Sequence, residues 1–188
     1  MSTKAGFIGL GVMGFPMAGH LASAGYEMTV FNRSSAKSER WQQQYGGEIA
    51  ENPALLAQEK AFVFCCVGND DDLYEVALGK QGAFQAMAPG SVFVDHTTAS
   101  ASLARGLAAE AKARGFHFLD APVSGGQSGA EKGQLTVMIG GEAEAYARVE
   151  KVIGCYAKNS RLLGEPGSGQ LCKMVNQICV AGIIQGLA

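Results

Sequence analysis

The chain has 188 residues, 47% of them hydrophobic and 17% charged, which suits one domain with an apolar core and excludes a disordered segment. A net charge of -2 without a basic stripe argues against a nucleic-acid partner. No apolar run approaches the roughly 20 residues of a membrane helix, and no unbroken apolar segment follows Lys4 as a signal peptide would require.

The elements alternate. Residues 5–10 read as a buried strand, 9–14 as a glycine-rich turn and 15–24 as a helix that Gly25 stops. Residues 27–32 (EMTVFN) form the next strand, and 34–45 a helix capped by Ser34 or Ser35. Residues 62–67 (FVFCCV) are an apolar strand, and 70–78 a helix whose first turn is acidic, as the helix dipole favours. Further strands are expected at 91–95, 116–121, 135–139 and 160–163, with helices at 99–114 and 142–153. Apolar strands alternating with helices predict an α/β fold with a doubly wound, mostly parallel Rossmann-type sheet.

The last segment, 170–188, differs. Leu171, Met174, Val175, Ile178, Ile183, Ile184 and Leu187 surround most of a helix, and such a helix needs cover on several sides. A sheet covers one. The expected organisation is a dinucleotide-binding domain over 1–165, then 166–188 as the start of an interdomain helix leading to an absent helical domain. Alone, that helix should leave an apolar patch that drives association.

Gly9, Leu10, Gly11, Val12, Met13 and Gly14 spell G-x-G-x-x-G between a strand and a helix, the context that the dinucleotide motif requires. The first glycine permits the turn, the second admits a pyrophosphate, and the third lets helix and strand pack closely. The helix N-terminus offers N–H groups to the phosphates. At the end of the second strand an acid would bind the ribose hydroxyls of NAD, but Asn32, Arg33 and Ser34 stand there instead. Arginine pairs with a 2′-phosphate, so NADP is the expected cofactor, with NAD as the alternative.

Residues 9–21 (GLGVMGFPMAGHL), 120–126 (DAPVSGG) and 167–177 (GSGQLCKMVNQ) resemble, in that order, three motifs of the β-hydroxyacid dehydrogenases, the group that includes 3-hydroxyisobutyrate dehydrogenase. The resemblance implies an oxidoreductase acting on a small hydroxy acid or semialdehyde, and a homo-oligomer at full length. It implies that Lys173 is catalytic, that Ser124, Gly125 and Gly126 hold the substrate carboxylate, and that Asn176 bonds the substrate. It also implies that Val67, Gly68, Asp72 and Thr98 lie along the cofactor. Gly68 and His96 depart from the residues many relatives carry.

The chemistry of the residues agrees. Lys173 and Asn176 share a helix face, and a lysine on an otherwise apolar helix is costly without a task. Apolar surroundings lower its pKa, which suits a general acid for carbonyl reduction and a base in reverse. Ser124-Gly125-Gly126 follows a strand end, where successive N–H groups can form an anion nest. His96 is a weaker candidate for a cofactor or substrate contact. Two other readings fit the same fold, a non-catalytic NADP-binding module and an imine reductase; Lys173 counts against both. Five cysteines without a C-x-x-C pair indicate free thiols in a reducing cytoplasm and no metal site.

Overall fold

The structure, a computed structural model, describes residues 3–188. In chain order the elements are β1 (Lys4–Ile8), α1 (Gly14–Ser23), β2 (Glu27–Phe31), α2 (Ser35–Tyr45), β3 (Glu48–Ile49), α3 (Pro53–Ala57), β4 (Phe62–Cys65) and α4 (Asp70–Leu78). They continue with β5 (Val92–Asp95), α5 (Ala101–Ala113), β6 (His117–Asp120), β7 (Val123–Ser124), α6 (Gly126–Glu131), β8 (Leu135–Gly141), α7 (Ala143–Ile153), β9 (Ala157–Gly164) and α8 (Ser168–Leu187).

Strand alternation makes two cores. Phe7, Phe62, Phe64, Val92 and Val94 face α1, α2 and α7, where they meet Met17, Leu21, Trp41 and Val149. Their neighbours Ile8, Val63, Cys65 and Phe93 face the other way, toward Leu56, Leu73, Phe84 and Leu107. Side chains of successive strand residues point to opposite faces, so a strand apolar throughout must be covered on both.

The sheet order is β3-β2-β1-β4-β5-β6-β8-β7, with β9 pairing to β8. Strands β1 to β6 are parallel, as expected. β8 runs against β6 and β7, which follow one another along one of its edges, and β9 lies parallel to β8. The chain runs outward from β1 to β2 and β3, then returns to place β4 on the other side of β1. Loops leaving β1 and β4 therefore diverge at this switch point, and the crevice outside the carboxyl ends is where open α/β sheets bind ligands.

Several elements were not expected from sequence: the two-residue strands β3 and β7, and the short helices α3 and α6. β9 also runs longer than the 160–163 segment. Ser34 stands at the N-cap of α2, but its side chain makes no capping bond; α2 is fixed instead by Trp41, whose Nε1 donates to the Phe15 carbonyl at 3.2 Å. All five cysteines are free. No helix among the described residues is long and apolar enough to cross a membrane.

Candidate active site

A cleft of about 580 Å³ opens at the switch point, lined by the loops after β1, β2 and β4. Gly9 turns the chain there with φ of +92°, and a side chain on it would strike the Cys66 carbonyl. Gly14 opens α1 so close to β1 that a Cβ would run into the Gly9 carbonyl and lie 2.9 Å from the Phe7 ring. Above Gly11 there is open space instead. The three glycines thus divide their work: two close the turn, and one leaves room for a ligand at a helix N-terminus. Residues present fit a dinucleotide in this place.

The expected cofactor residues fall into two groups. Gly9, Gly11, Val12, Met13, Gly14, Asn32, Arg33, Ser34, Val67, Gly68 and Asp72 line the cleft. Leu10 does not: its side chain is 2% exposed in the core, and its N–H donates to Asn32 Oδ1 at 2.9 Å. Asn32 Nδ2 donates in turn to the Ser34 carbonyl at 3.1 Å, so this amide shapes the glycine turn. Thr98 is exposed and lies outside the cleft lining. Arg33 Nη1 donates to Asp72 Oδ1 at 3.0 Å, an ion pair across the cleft mouth with the arginine side chain 88% exposed. Lys37, which sequence reading overlooked, lines the same end of the cleft from the first turn of α2.

Two side chains near the cleft are held in their neutral forms. Burial, and then the charge of Asp95, push the Cys66 thiol up to about 12. His96 is 1% exposed and stacks on Phe64. Its Nδ1 lies 2.6 Å from the Ala121 carbonyl and its Nε2 2.8 Å from the Tyr156 hydroxyl. A carbonyl only accepts, so Nδ1 carries the proton and Nε2 accepts from tyrosine. Burial lowers the imidazole to about 4 and keeps it neutral. The expectation of a cofactor or substrate contact at His96 is corrected: the ring is a satisfied core group.

The second half of the site lies further along the sheet. Ser124 ends β7 half-buried, followed by Gly125 and Gly126 with φ of +131° and +60°, values that favour glycine. Lys173 is 8% exposed on α8, and desolvation pulls its ammonium below the ordinary lysine range. Asn176 is half-buried one turn on. Gly169, Gln170 and Lys173 form the buried stripe of α8, while Met174, Val175 and Ile178 are 50%, 61% and 72% exposed.

What fixes α8 was invisible to sequence reading. The Asp120 carboxylate, fully buried at the end of β6, accepts from the Gly167 N–H at 2.7 Å and the Gln170 N–H at 2.9 Å. The Gln170 side chain accepts from the Ala99 N–H at 3.1 Å and donates to the Thr97 carbonyl at 2.7 Å. These bonds bring together α8, the strand preceding the Ser124 loop, and the loop carrying Thr98.

The sequence pattern of the NAD binding domain of 6-phosphogluconate dehydrogenase matches residues 4–164. The chain belongs to this family. It is 56% identical over 185 residues to an uncharacterized oxidoreductase of Shewanella frigidimarina, covering 98% of this chain and 64% of that protein. The 2-hydroxy-3-oxopropionate reductase of Escherichia coli is 35% identical over 185 residues, covering 98% of this chain and 63% of the enzyme. Among solved structures, the 3-hydroxyisobutyrate dehydrogenase of Mycobacterium tuberculosis with L-serine superposes with a TM-score of 0.87 at 30% identity, covering 96% of this chain and 61% of that one. This family member therefore spans less than two thirds of the length of these relatives. The Rossmann-type architecture and the NAD(P)-binding character of the domain stand on these likenesses together with the glycine turn.

Proposed function

We propose that the whole protein is an oxidoreductase that interconverts a small 3-hydroxy acid and its aldehyde or keto acid partner with NADP(H). The observation that carries this reading is a buried lysine with a lowered pKa on a helix pinned to the carboxyl edge of a dinucleotide-binding sheet. A nicotinamide dinucleotide held by the glycine turn would supply the hydride for reduction and accept it in reverse. Lys173 donates a proton to the substrate oxygen during reduction and removes it during oxidation. Ser124, Gly125 and Gly126 bind the substrate carboxylate through the hydroxyl and backbone N–H groups. Asn176, on the same helix face as Lys173, holds the reacting oxygen. Gly9, Gly11, Val12, Met13, Gly14, Val67 and Gly68 would line the cofactor's path, and Thr98, outside that cleft, would meet its nicotinamide end.

NADP is favoured over NAD because β2 ends without a carboxylate, while Arg33, Ser34 and Lys37 border the cleft there. The Arg33–Asp72 pair is exposed, so its strength is small and a phosphate dianion can displace it. Residues 166–188 are proposed as the start of an interdomain helix, since its outward face is apolar and the relatives are longer. Association into homo-oligomers would cover more of the same face.

The test is a screen of the whole protein with NADPH and NADH against small semialdehydes and 3-hydroxy acids. Turnover of a semialdehyde with NADPH, at a higher kcat/KM than with NADH, is expected. Tight NADPH binding without turnover of any such substrate would leave a binding module instead, and a preference for NADH would overturn the NADP assignment.

A further inference from the structure

An ordinary helix cap comes from the residue next to the helix. α8 is capped from 47 residues away, by Asp120. Both carboxylate oxygens are used, one by the N–H of Gly167 at the N-cap and one by the N–H of Gln170 in the first turn. Bonds to an ionised acceptor are roughly twice as strong as neutral ones, and a negative charge suits a helix N-terminus. The fit around it is close. A Cβ on Gly140 would lie 2.5 Å from Asp120 Oδ1, and one on Gly169 would lie 2.9 Å from Oδ2. Gly167 takes φ of +92° to deliver its N–H.

Gln170 adds a second fixing point on the same helix turn. Its amide bonds two backbone groups on either side of Thr98, one as donor and one as acceptor, and it has no exposure to solvent. Held at both ends, the Gln170 amide restricts roll of this turn about the helix axis beyond what the two bonds to Asp120 impose. Lys173 stands three residues further on the same face, so its position follows from the roll angle of this turn. Asp120 also precedes the Pro122–Ser124 segment, whose Pro122 carbonyl accepts from the Met138 N–H at 3.0 Å.

We propose that Asp120 and Gln170 are positioning residues for the reaction: they clasp the Lys173 helix to the loops carrying Thr98 and Ser124, setting the lysine against the reacting carbon–oxygen bond. This rests on the reading of Lys173 as the proton donor. A displacement of about 1 Å at a reacting group can cost roughly 10²-fold in rate. Substituting Asp120→Asn turns one acceptor into a donor that faces an N–H. Substituting Gln170→Met keeps the volume and removes both amide bonds.

The experiment uses the whole protein with Lys173→Ala, Asp120→Asn, Gln170→Met and the two double variants containing Lys173→Ala. NADPH affinity and the pH profile of kcat for semialdehyde reduction are measured. Asp120→Asn and Gln170→Met are each expected to lower kcat roughly 10- to 10²-fold and to leave NADPH affinity within about two-fold. The alkaline limb of kcat should move to higher pH, because burial is what lowers the lysine and loosening the helix readmits water. Each double variant should be no slower than Lys173→Ala alone, since residues that act through the lysine have nothing left to position. A merely structural role would lower the amplitude without moving the limb, and would add its cost in the double variants. Unchanged kcat or additive losses would overturn the proposal. Near-normal turnover in Lys173→Ala would instead overturn the lysine reading on which it rests. If Asp120→Asn does not fold, Gln170→Met and its double variant decide the matter.

Discussion

Replacing Asp95 by Asn isolates the effect of one buried acid at the end of β5. Asp95 has no exposure to solvent; its Oδ1 accepts from the Thr97 N–H at 2.9 Å, and its Oδ2 has no hydrogen-bond partner among the described residues. Burial, opposed by the bonds from Thr97 and helped by the charge of Asp120, raises its pKa from 3.8 to about 7. Between those values the folded chain holds a proton that the unfolded chain has lost. Stability therefore falls as pH rises through the window. Three pH units at about 1.4 kcal/mol each give a loss of about 4 kcal/mol by pH 8. Asn keeps the acceptor for Thr97 and places a neutral amide where the protonated oxygen stood, so it escapes this loss. Urea unfolding from pH 4 to 8, at protein concentrations low enough to limit association, should show the variant gaining on the wild type as pH rises. The corresponding gain in Tm at pH 8 is roughly 10 °C for a chain of this size. A gap that stays constant from pH 4 to 8 would refute the reasoning.

Arg33→Ala should weaken NADPH and leave NADH nearly unchanged. A charge-assisted contact contributes roughly 1.5–3 kcal/mol and the Asp72 pair it replaces roughly 0.2–1 kcal/mol, leaving about ten-fold in KM. Asp72→Asn should move NADPH affinity in the opposite direction; a shift the same way would contradict the competition between carboxylate and phosphate. Gly11→Ala meets open space, so its melting temperature should match the wild type while dinucleotide binding falls, both read from one thermal titration with and without NADPH. Gly14→Ala should instead lose about 1–3 kcal/mol of stability, because its methyl group meets the Gly9 carbonyl and the Phe7 ring. Ile178→Glu, at a residue 72% exposed on the outward face of α8, should reduce association of the isolated 188 residues in light scattering; unchanged association would place the interface elsewhere.

Sequence revealed the features whose cause is local. Parallel strands such as β4 announce themselves because both faces are buried and every residue is apolar. The glycine turn is readable because its backbone demands are met by three glycines at fixed spacing, and Lys173 stands out against an apolar helix. The resemblance then supplied roles that composition does not carry. Features set by distant partners stayed hidden. β3 and β7 exist only because β2 and β8 offer them an edge, and two residues hold no periodicity. Asn32 was legible as a cofactor-end residue, but its bond from the Leu10 N–H was not, because Leu10 is a neighbour only after β1 and β2 pair. His96 follows a strand end, as a cofactor contact would, but Tyr156 and Ala121 enclose it from 60 and 25 residues away. Asp120 and Gln170 were visible as letters of two motifs, and nothing in either motif states that the carboxylate caps the 167–170 turn or that the amide bonds the 97–99 loop.

The proton-transfer role of Lys173 is tested most directly by the single-turnover rate of hydride transfer in Lys173→Ala, with the whole protein saturated by NADPH and a semialdehyde it turns over. The rate should fall roughly 10²–10⁴-fold while NADPH binding is retained. Hydride transfer at close to the wild-type rate would contradict the assignment, and with it the reason for holding that helix so firmly against the sheet.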